Sequence, residues 1–303
     1  MTSTSTVPKP PTAAPSVLGG KQERRTSQLN RRSPVGRVIT YALLLLFLVI
    51  VLMPAYVLIV TSFKSGREIG VNGQWNLPSV WTTASWDKAW TALGPSFVRT
   101  FELAVPVAVI SSLIGSANGF VLSRWRFPGA DVVFTLILFG MFIPYQAVMI
   151  PLRQIVQTIG LPSGIPTLIF VHIVYGIPIC TLIFRNYYAT TVPVELIEAG
   201  RVDGAGLLRT FAWLILPISV PGFVVTIIWQ FTSSWNDYLF AIFLSNTRNG
   251  PITIALNALA GAQSPDYAAS MAGALIASLP TLLVYIVLGR WFIGGLMAGS
   301  VKS

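Results

Sequence analysis

The sequence predicts an all-α polytopic membrane protein with six transmembrane helices. Of its 303 residues, 53% are hydrophobic and only 10% are charged, whereas soluble domains carry about 25% charged residues. Six apolar runs reach the length of roughly 20 residues that a helix needs to cross the hydrocarbon core. Helices are expected because backbone groups in lipid must pair within their own segment, and the alternating pattern of a closed barrel is not seen.

The six runs follow a polar amino-terminal tail. Residues 1–36 are rich in Ser, Thr, Pro, Lys and Arg, and they contain too few bulky apolar residues to fold. We expect a disordered basic cytoplasmic tail there and a transmembrane permease domain over residues 37–303. The predicted spans lie near residues 38–63, 101–123, 132–156, 160–184, 211–234 and 267–293.

Basic residues set the predicted orientation. With the amino terminus inside, 14 of the 20 Lys and Arg residues fall on the cytoplasmic side, where positive charge is normally retained. Both termini and the loop 185–210 are therefore predicted to face the cytoplasm across the plasma (inner) membrane of a bacterium or archaeon. The same distribution makes nucleic acid an improbable partner, although the net charge is +10.

Small residues recur at four-residue spacing in two of the spans. The two ridges are Ser111, Gly115 and Gly119, and Ala269, Gly273 and Ala277. Such ridges let helices approach closely in lipid, where van der Waals contact replaces the hydrophobic driving force. We expect them to pack within the chain's own bundle, with a second membrane subunit as the alternative.

A short polar segment separates the fourth and fifth spans. Pro193 and Glu195 suit the first turn of a helix, because proline pre-sets φ and the carboxylate lies near unpaired amides. Glu198 and Arg201 are three residues apart and can meet on one face. Gly204 is placed to end the helix in a left-handed turn. The sequence therefore predicts a small helix, a turn and a second helix at the membrane surface.

This segment resembles the EAA loop of ATP-binding-cassette (ABC) importer permeases. The matching residues are Glu198, Ala199, Asp203, Gly204, Ala205, Leu216 and Pro217. Gly200 stands where the family usually has alanine, which weakens the helix by up to about 1 kcal/mol. Residues 235–240 and 294–302 are similar to the carbohydrate-uptake subfamily typified by the maltose-system permease. The resemblance covers roughly residues 38–303.

The resemblance implies a type I ABC importer fold and a division of labour among subunits. The helix with Glu198, Ala199 and Gly200 would be the coupling helix that docks into a groove on a separate ATPase. It also implies a second homologous permease, identical or not, and an extracytoplasmic sugar-binding protein toward which the loop 246–266 would project. The tail after Gly294 would reach the ATPase. ATP and Mg would bind the partner ATPase, and no cofactor is expected in this chain.

The fifth apolar run contains a polar interruption. From Ala212 to Ser245 the chain is apolar except at residues 232–237, Thr-Ser-Ser-Trp-Asn-Asp. A single helix over this run would be about 50 Å long, beyond a hydrocarbon core of about 30 Å. A helix break is therefore predicted at the polar segment. Broken helices within the membrane often form transport sites, and a carboxylate such as Asp237 in a span is a functional candidate.

The predicted substrate path consists of polar and aromatic side chains near this break and in other spans. They are Trp235, Asn236, Asp237, Tyr238, Tyr145, Gln146 and Asn118. Sugars suit such a lining, because their hydroxyls pair with amides and carboxylates and their C–H faces stack on aromatic rings. The alternative is that Asp237 only caps or brackets a bend. For the single histidine, His172, an interhelical hydrogen bond is favoured over a proton relay.

The sequence lacks the motifs expected for nucleotide hydrolysis and for metal binding. No G-x-x-x-x-G-K-[ST] phosphate loop occurs, and one His and one Cys cannot build a metal cluster. We therefore predict no catalytic residues, no metal site and no enzyme activity in this chain.

The predicted function is that of a permease subunit in an ATP-driven sugar importer. Residues 142–146, 171–176 and 184–187 look most similar to glucose/mannose-type members, with an oligosaccharide as the alternative cargo. Two other classes remain open. The first is a secondary transporter in which Asp237 or Glu102 carries a coupling ion. The second is a membrane scaffold that recruits a cytoplasmic partner.

Overall fold

The computed structural model describes residues 34–125, 127–263 and 265–297, with side chains described up to Gly289. The predicted tail at residues 1–33 and the carboxyl-terminal residues 298–303 lie outside this range. The tail was predicted to extend to residue 36, but residues 34–36 belong to the helix Pro34–Ser62, because they continue directly into the apolar run that forms it.

Twelve helices, and no strand, are found within the described residues. They are α1 (Pro34–Ser62), α2 (Gly66–Asn72), α3 (Ala84–Ser123), α4 (Ala130–Phe142, ending in a 3₁₀ turn), α5 (Tyr145–Thr158), α6 (Ile165–Thr191), α7 (Val194–Val202), α8 (Leu207–Ile218, with a π-helical turn at Phe211–Ile215), α9 (Val220–Trp235), α10 (Leu239–Leu244), α11 (Ile252–Ala260) and α12 (Tyr267–Met297). Of the described residues, 34–56 belong to one compact unit and those from Val57 onward to a second. All packing described below belongs to the second unit.

Four helices are individually long and apolar enough to span a membrane: α1, α3, α6 and α12. Two bent pairs also meet the criterion: α4 with α5, at an angle of 99°, and α8 with α9, at 80°. Counting each bent pair as one span gives six. The chain is thus an all-α polytopic membrane protein, as predicted.

The second span begins earlier than predicted, at Ala84 rather than residue 101. Its first turns pack inside the protein, where the fully buried Ala89 contacts Ala272 and Ile276 of α12. Hydropathy alone missed this extension because it is stabilised by protein packing and not by lipid. The fourth span is also shifted, to Ile165–Thr191. The loop predicted to begin at residue 185 therefore begins only after Thr191.

Two predicted spans are bent rather than straight. The span 132–156 is interrupted at Ile143 and Pro144, because proline disfavours helical geometry in the residue before it and cannot donate an N–H. The span 211–234 turns at Ser219, between α8 and α9. The sequence analysis placed no bend there.

Glycines bring α3 and α6 into close contact. A Cβ added to Gly115 would lie 2.3 Å from Cys180 Cβ, and one added to Gly119 would lie 2.7 Å from the Arg185 backbone nitrogen. In the second ridge, a Cβ on Gly273 would lie 2.8 Å from Leu93 Cδ1. Both ridges pack within the chain's own bundle.

Candidate transport cavity and coupling segment

The helix break predicted at the polar segment is present. α9 ends at Trp235 and α10 begins at Leu239. The Asp237 carboxylate accepts hydrogen bonds from the backbone N–H groups of Phe240 (3.3 Å) and Ala241 (3.0 Å). A side-chain oxygen that satisfies the free amides of a first turn stabilises the start of a helix. Asp237 therefore caps α10.

The turn at Asp237 is also anchored to α11, since Thr253 Oγ1 donates to the Asp237 backbone carbonyl at 2.7 Å. Trp235 anchors it from the opposite direction. Its indole is fully buried, and its Nε1 donates to the Ala277 carbonyl of α12 at 2.8 Å. The break is thus held on both sides by side chain–backbone hydrogen bonds.

A cavity of about 630 Å³ lies beside the break. Its lining residues come from α4, α5, α6, α9, α10 and the turn between the last two. They are Met141, Tyr145, His172, Tyr175, Gly176, Ile179, Trp229, Gln230, Ser233, Asn236, Asp237, Tyr238, Leu239 and Phe240. The α6 members lie between the eighth and the fifteenth of the 27 residues of that helix. The cavity therefore lies away from both ends of α6.

Aromatic rings form one wall of this cavity. The ring centroid of Phe240 lies 5.3 Å from Tyr145 and 5.1 Å from Tyr175. The His172 imidazole meets the same phenyl ring edge-on, with centroids 5.5 Å apart. These spacings are typical of favourable aromatic pairs.

Two ionisable side chains of opposite type face each other in the cavity. His172 Nε2 lies 3.4 Å from Asp237 Oδ2, and the two side chains are only 8% and 12% exposed. The separation permits an ion pair when the imidazole is protonated. The geometry does not make a hydrogen bond, so His172 Nε2 has no hydrogen-bonding partner among the residues that the structure describes.

Gln230 is the second side chain in the cavity with an unpaired nitrogen. Its Nε2 is buried and has no hydrogen-bonding partner in the described part of the chain. It occupies space left by Gly176 on α6, because a Cβ at that position would lie 1.5 Å from it. A glycine is required there by this close approach.

Four of the seven predicted path residues line the cavity: Tyr145, Asn236, Asp237 and Tyr238. The other three do not. Trp235 points into the core, where its ring lies 4.7 Å from that of Phe101. Neighbours in a helix point in directions about 100° apart, so adjacency to Asn236 did not place Trp235 on the same face.

Asn118 and Gln146 are also absent from the lining. Asn118 Nδ2 donates to Thr181 Oγ1 at 3.4 Å and thus joins α3 to α6. Gln146 is exposed in the first turn of α5.

The sequence analysis missed several residues of the lining, most of them on α6 and α9. On α6 the members are His172, Tyr175, Gly176 and Ile179. Their spacing of three, four and seven residues puts them on one helical face. That pattern, which mixes polar, aromatic and small residues within an apolar run, was the available signal.

The segment that resembles the coupling helix forms α7. Its Ile197 and Gly200 are buried, whereas Glu198 and Ala199 face outward. Ile197 packs in one cluster with Tyr188 of α6 and Ile215 of α8. The helix thus has a packed base and a free outer face.

The end of α7 follows the prediction. Gly204 adopts a φ of +75°, and the Ala205 N–H donates to the Gly200 carbonyl at 2.9 Å. Asp203 occupies the carboxyl-terminal cap position. A left-handed residue and a long backward hydrogen bond are typical of a glycine-terminated helix.

The suggested contact between Glu198 and Arg201 is not formed. The Arg201 guanidinium instead lies 4.3 Å from the ring centroid of Trp125, just after α3. A cation–π contact of this kind uses the flat guanidinium face and needs no carboxylate. Glu198 is left exposed on the outer face.

A buried chain of hydroxyl groups holds the bend at Ser219. The Tyr188 hydroxyl lies 2.6 Å from Ser116 Oγ and 2.8 Å from Ser219 Oγ. Ser219 Oγ donates to the Ile215 carbonyl of α8. We call Ser116, Tyr188 and Ser219 the elbow cluster. It links α3, α6 and the bend between α8 and α9.

Together, four to six membrane-spanning segments, a polar cavity beside a broken helix and a short helix with an exposed outer face define a membrane transport permease. Comparison with known families agrees. Residues 104–295 match the family described as binding-protein-dependent transport system inner membrane component. The chain belongs to this family.

Two sequence relatives and one solved structure show the extent of the similarity. The chain is 47% identical over 169 residues to a probable ABC transporter permease protein of Pyrococcus horikoshii, which covers 55% of this chain and 61% of that protein. It is 33% identical to the xylose/arabinose import permease protein XacI of Haloferax volcanii, over 86% of this chain and 92% of the relative.

The solved structure is the crystal structure of a bacterial ABC transporter involved in the import of the acidic polysaccharide alginate. One of its chains superimposes with a TM-score of 0.74, covering 86% of this chain and 99% of that chain. The sequence identity is 21%. The similarity therefore shows a shared fold, that of an ABC importer permease.

Proposed function

We propose that this chain is the transmembrane subunit of an ABC importer that carries a sugar delivered by an extracytoplasmic binding protein. A separate ATPase, which binds ATP and Mg, drives transport through α7. One observation carries the proposal: α7, the bend at Ser219 and the cavity-lining face of α9 follow one another within residues 194–240. A force applied to the free face of α7 has a short covalent route to the cavity.

The packing along this route supports such a transfer. Ile197 ties α7 to α8 and to the end of α6, and the elbow cluster ties the bend to α3 and α6. Arg124 reinforces the same region, since its Nη2 donates to the carbonyls of Tyr188 (2.9 Å) and Ala189 (2.8 Å). Displacement of α7 would therefore move the bend rather than be lost in a flexible loop.

The proposal includes an orientation and a second permease. The excess of basic residues on the α7 side of the spans supports a cytoplasmic location for α7 and both termini. On the cavity, Met141, Trp229 and Leu239 remain 43%, 55% and 36% exposed. A second permease, identical or homologous, would cover this apolar edge and close the path.

The chemistry of the cavity and the names of relatives both favour a sugar. Five aromatic side chains, two amides and a carboxylate line the cavity, and these are groups that bind sugar hydroxyls and C–H faces. The Haloferax volcanii relative is named for xylose/arabinose import. The cargo that we propose is a monosaccharide such as glucose or mannose, or else an oligosaccharide.

The test uses the complete transporter in proteoliposomes, with ATP inside and binding protein outside. Glu198→Gln is expected to weaken co-purification with the ATPase and to reduce ATP-driven uptake about tenfold or more, because a charged hydrogen-bonding group is lost at the docking face. Glu195→Gln, an exposed carboxylate in the same helix, is the matched control and should change little.

Two results would contradict the proposal. One is sugar uptake by this chain without the ATPase, as expected of a secondary transporter. The other is full coupling in Glu198→Gln together with an α7 that a membrane-impermeant label reaches from outside the cell.

A further inference from the structure

We propose that Gln230, His172 and Asp237 form a subsite in this chain that binds the hydroxyl groups of an uncharged sugar. The inference rests on the proposed function and adds the chemical class of cargo that this half of the path accepts. It is carried by two residues that line one cavity and whose buried Nε2 atoms find no hydrogen-bonding partner among the described residues.

The first step concerns these two atoms. Gln230 is 4% exposed and His172 is 7% exposed, yet within the described part of the chain neither Nε2 has a hydrogen-bonding partner. Buried polar groups in folded proteins are almost always paired, and an unpaired one is costly. Both residues line the cavity. A turn of each side chain toward the cavity would let a hydroxyl oxygen there accept from the Gln230 amide and pair with the imidazole.

The second step concerns the space around Gln230. Its amide fits only because position 176 carries no Cβ, which would otherwise lie 1.5 Å from Nε2. Ser111 Oγ would lie 2.8 Å from the same added Cβ and is also buried without a partner. The protein thus keeps an unpaired amide in a slot that most residues at position 176 would close.

The third step concerns the acceptor. Asp237 accepts two backbone N–H groups as a helix cap. An ionised carboxylate has about four lone-pair directions, so further sites remain for hydroxyl donors. The Gln230 donor and the Asp237 acceptor lie in the same cavity. Adjacent hydroxyls of a sugar, each both donor and acceptor, match this combination.

The fourth step concerns charge. The lining contains no Lys or Arg, and the His172–Asp237 pair is at most electrically neutral. An acidic sugar would bring a carboxylate close to Asp237 without a compensating cation, which is unfavourable at low dielectric. The subsite therefore favours neutral sugars over uronic acids.

The experiment uses the complete transporter in proteoliposomes and radiolabelled D-glucose, D-mannose, D-xylose, maltose and D-glucuronate. We expect uptake of at least one uncharged sugar. For that sugar, Gln230→Leu should raise KM about tenfold, the effect of losing one hydrogen bond to the ligand. Gly176→Ala should act in the same direction, because it displaces the amide. Thr226→Val, a buried hydroxyl one turn away that bonds within its own helix, is the control.

A second arm removes the binding protein's own selectivity. Unlabelled sugar or D-glucuronate is loaded inside the vesicles, where no binding protein is present, and its effect on uptake is measured. The transported sugar is expected to slow uptake, and D-glucuronate is not.

Each outcome bears on one claim. A wild-type KM in Gln230→Leu, or inhibition by luminal D-glucuronate equal to that by the sugar, overturns the subsite and leaves the proposed function standing. Uptake of none of the five probes by the wild-type transporter overturns the proposed sugar-import function and the subsite with it. If Gly176→Ala does not fold, as judged by size-exclusion chromatography, Gln230→Leu alone decides.

Discussion

The elbow cluster and the cavity are both buried and polar, but they differ in how their polar atoms are satisfied. In the elbow cluster, the hydroxyls of Ser116, Tyr188 and Ser219 form a continuous chain that ends on a backbone carbonyl. Among the cavity-lining residues, Gln230 and His172 have Nε2 atoms with no hydrogen-bonding partner in the portion of the chain that is described.

The difference separates structural polarity from polarity kept for a ligand. A fully paired network adds rigidity and specifies one arrangement of the helices around it. An unpaired buried donor stabilises nothing in the protein by itself. The paired cluster thus suits a joint that transmits movement, and the unpaired one suits a site that receives hydroxyl groups.

The largest expected contrast is between Tyr188→Phe and Gln230→Leu. Tyr188→Phe removes two hydrogen bonds and leaves Ser116 unpaired, so we expect a loss of about 1–2 kcal/mol in stability. Gln230→Leu replaces an unpaired amide by an apolar group of similar size and should cost about zero. The measurement is the thermal unfolding midpoint of both purified variants in the same detergent. Equal destabilisation would remove the distinction between the clusters.

Asp237 combines a structural role with a place in the cavity wall, since it caps α10 and lines the cavity. Asp237→Ala should lose the cap and about 1 kcal/mol of stability. Asp237→Asn keeps a side-chain hydrogen-bond acceptor and should retain most of the stability that the cap provides. Hydrogen exchange at the Phe240 and Ala241 amides is the direct measurement, with faster exchange expected in Asp237→Ala only. Unchanged exchange in both variants would show that the cap is not needed.

An exposed ion pair offers a reference for the stability effects expected in the elbow cluster and in the cavity. Lys88 Nζ lies 2.9 Å from Asp266 Oδ2 at the start of α12. Partial burial raises the pKa of Asp266, but hydrogen bonds from Lys88 and the Ala269 N–H outweigh this, so that the pKa is lowered overall. The pair therefore stabilises the fold above the usual aspartate pKa of about 3.9, and the contribution is lost as pH falls through the lower folded value.

Because Lys88 is largely exposed, Lys88→Ala should cost less than about 1 kcal/mol near neutral pH. The difference in unfolding midpoint between variant and wild type should shrink as the pH is lowered toward 3. A difference that grows in acid would contradict the assignment.

The smallest effect is expected in α7. Gly200→Ala introduces a better helix former and gains up to about 1 kcal/mol of helix propensity. The added Cβ would lie 2.9 Å from Leu214 Cδ1, the flexible end of a side chain that can move aside. We expect a net change within about 0.5 kcal/mol and unchanged ATP-driven uptake. A large loss of stability would mean that Leu214 is held rigidly.

The sequence predicted those features that arise locally. The polar residues 232–237 within an apolar run predicted the helix break. Gly204 predicted the end of α7 through its conformational freedom. In each case the residue itself imposes the structure, so no knowledge of its neighbours was needed.

The features that were missed depend on tertiary contacts. The bend at Ser219 is held by Tyr188, 31 residues away. The early start of α3 depends on packing against α12. His172 and Gln230 were visible as polar residues in spans, but only the fold shows that they meet in one cavity and lack partners. Whether a buried polar atom is hydrogen-bonded depends on its neighbours in the fold, and a single sequence does not specify those neighbours.

The close approach of α3 and α6 constrains any change of shape in this permease. At Gly115 and Gly119 there is no room even for one methyl group between the helices. Sliding or separating them would force backbone atoms through one another or open an unfilled gap. The two helices must therefore travel as a single rigid body during a transport cycle. We therefore expect the path to open and close through movement of the two bent segments, where α4 meets α5 and α8 meets α9.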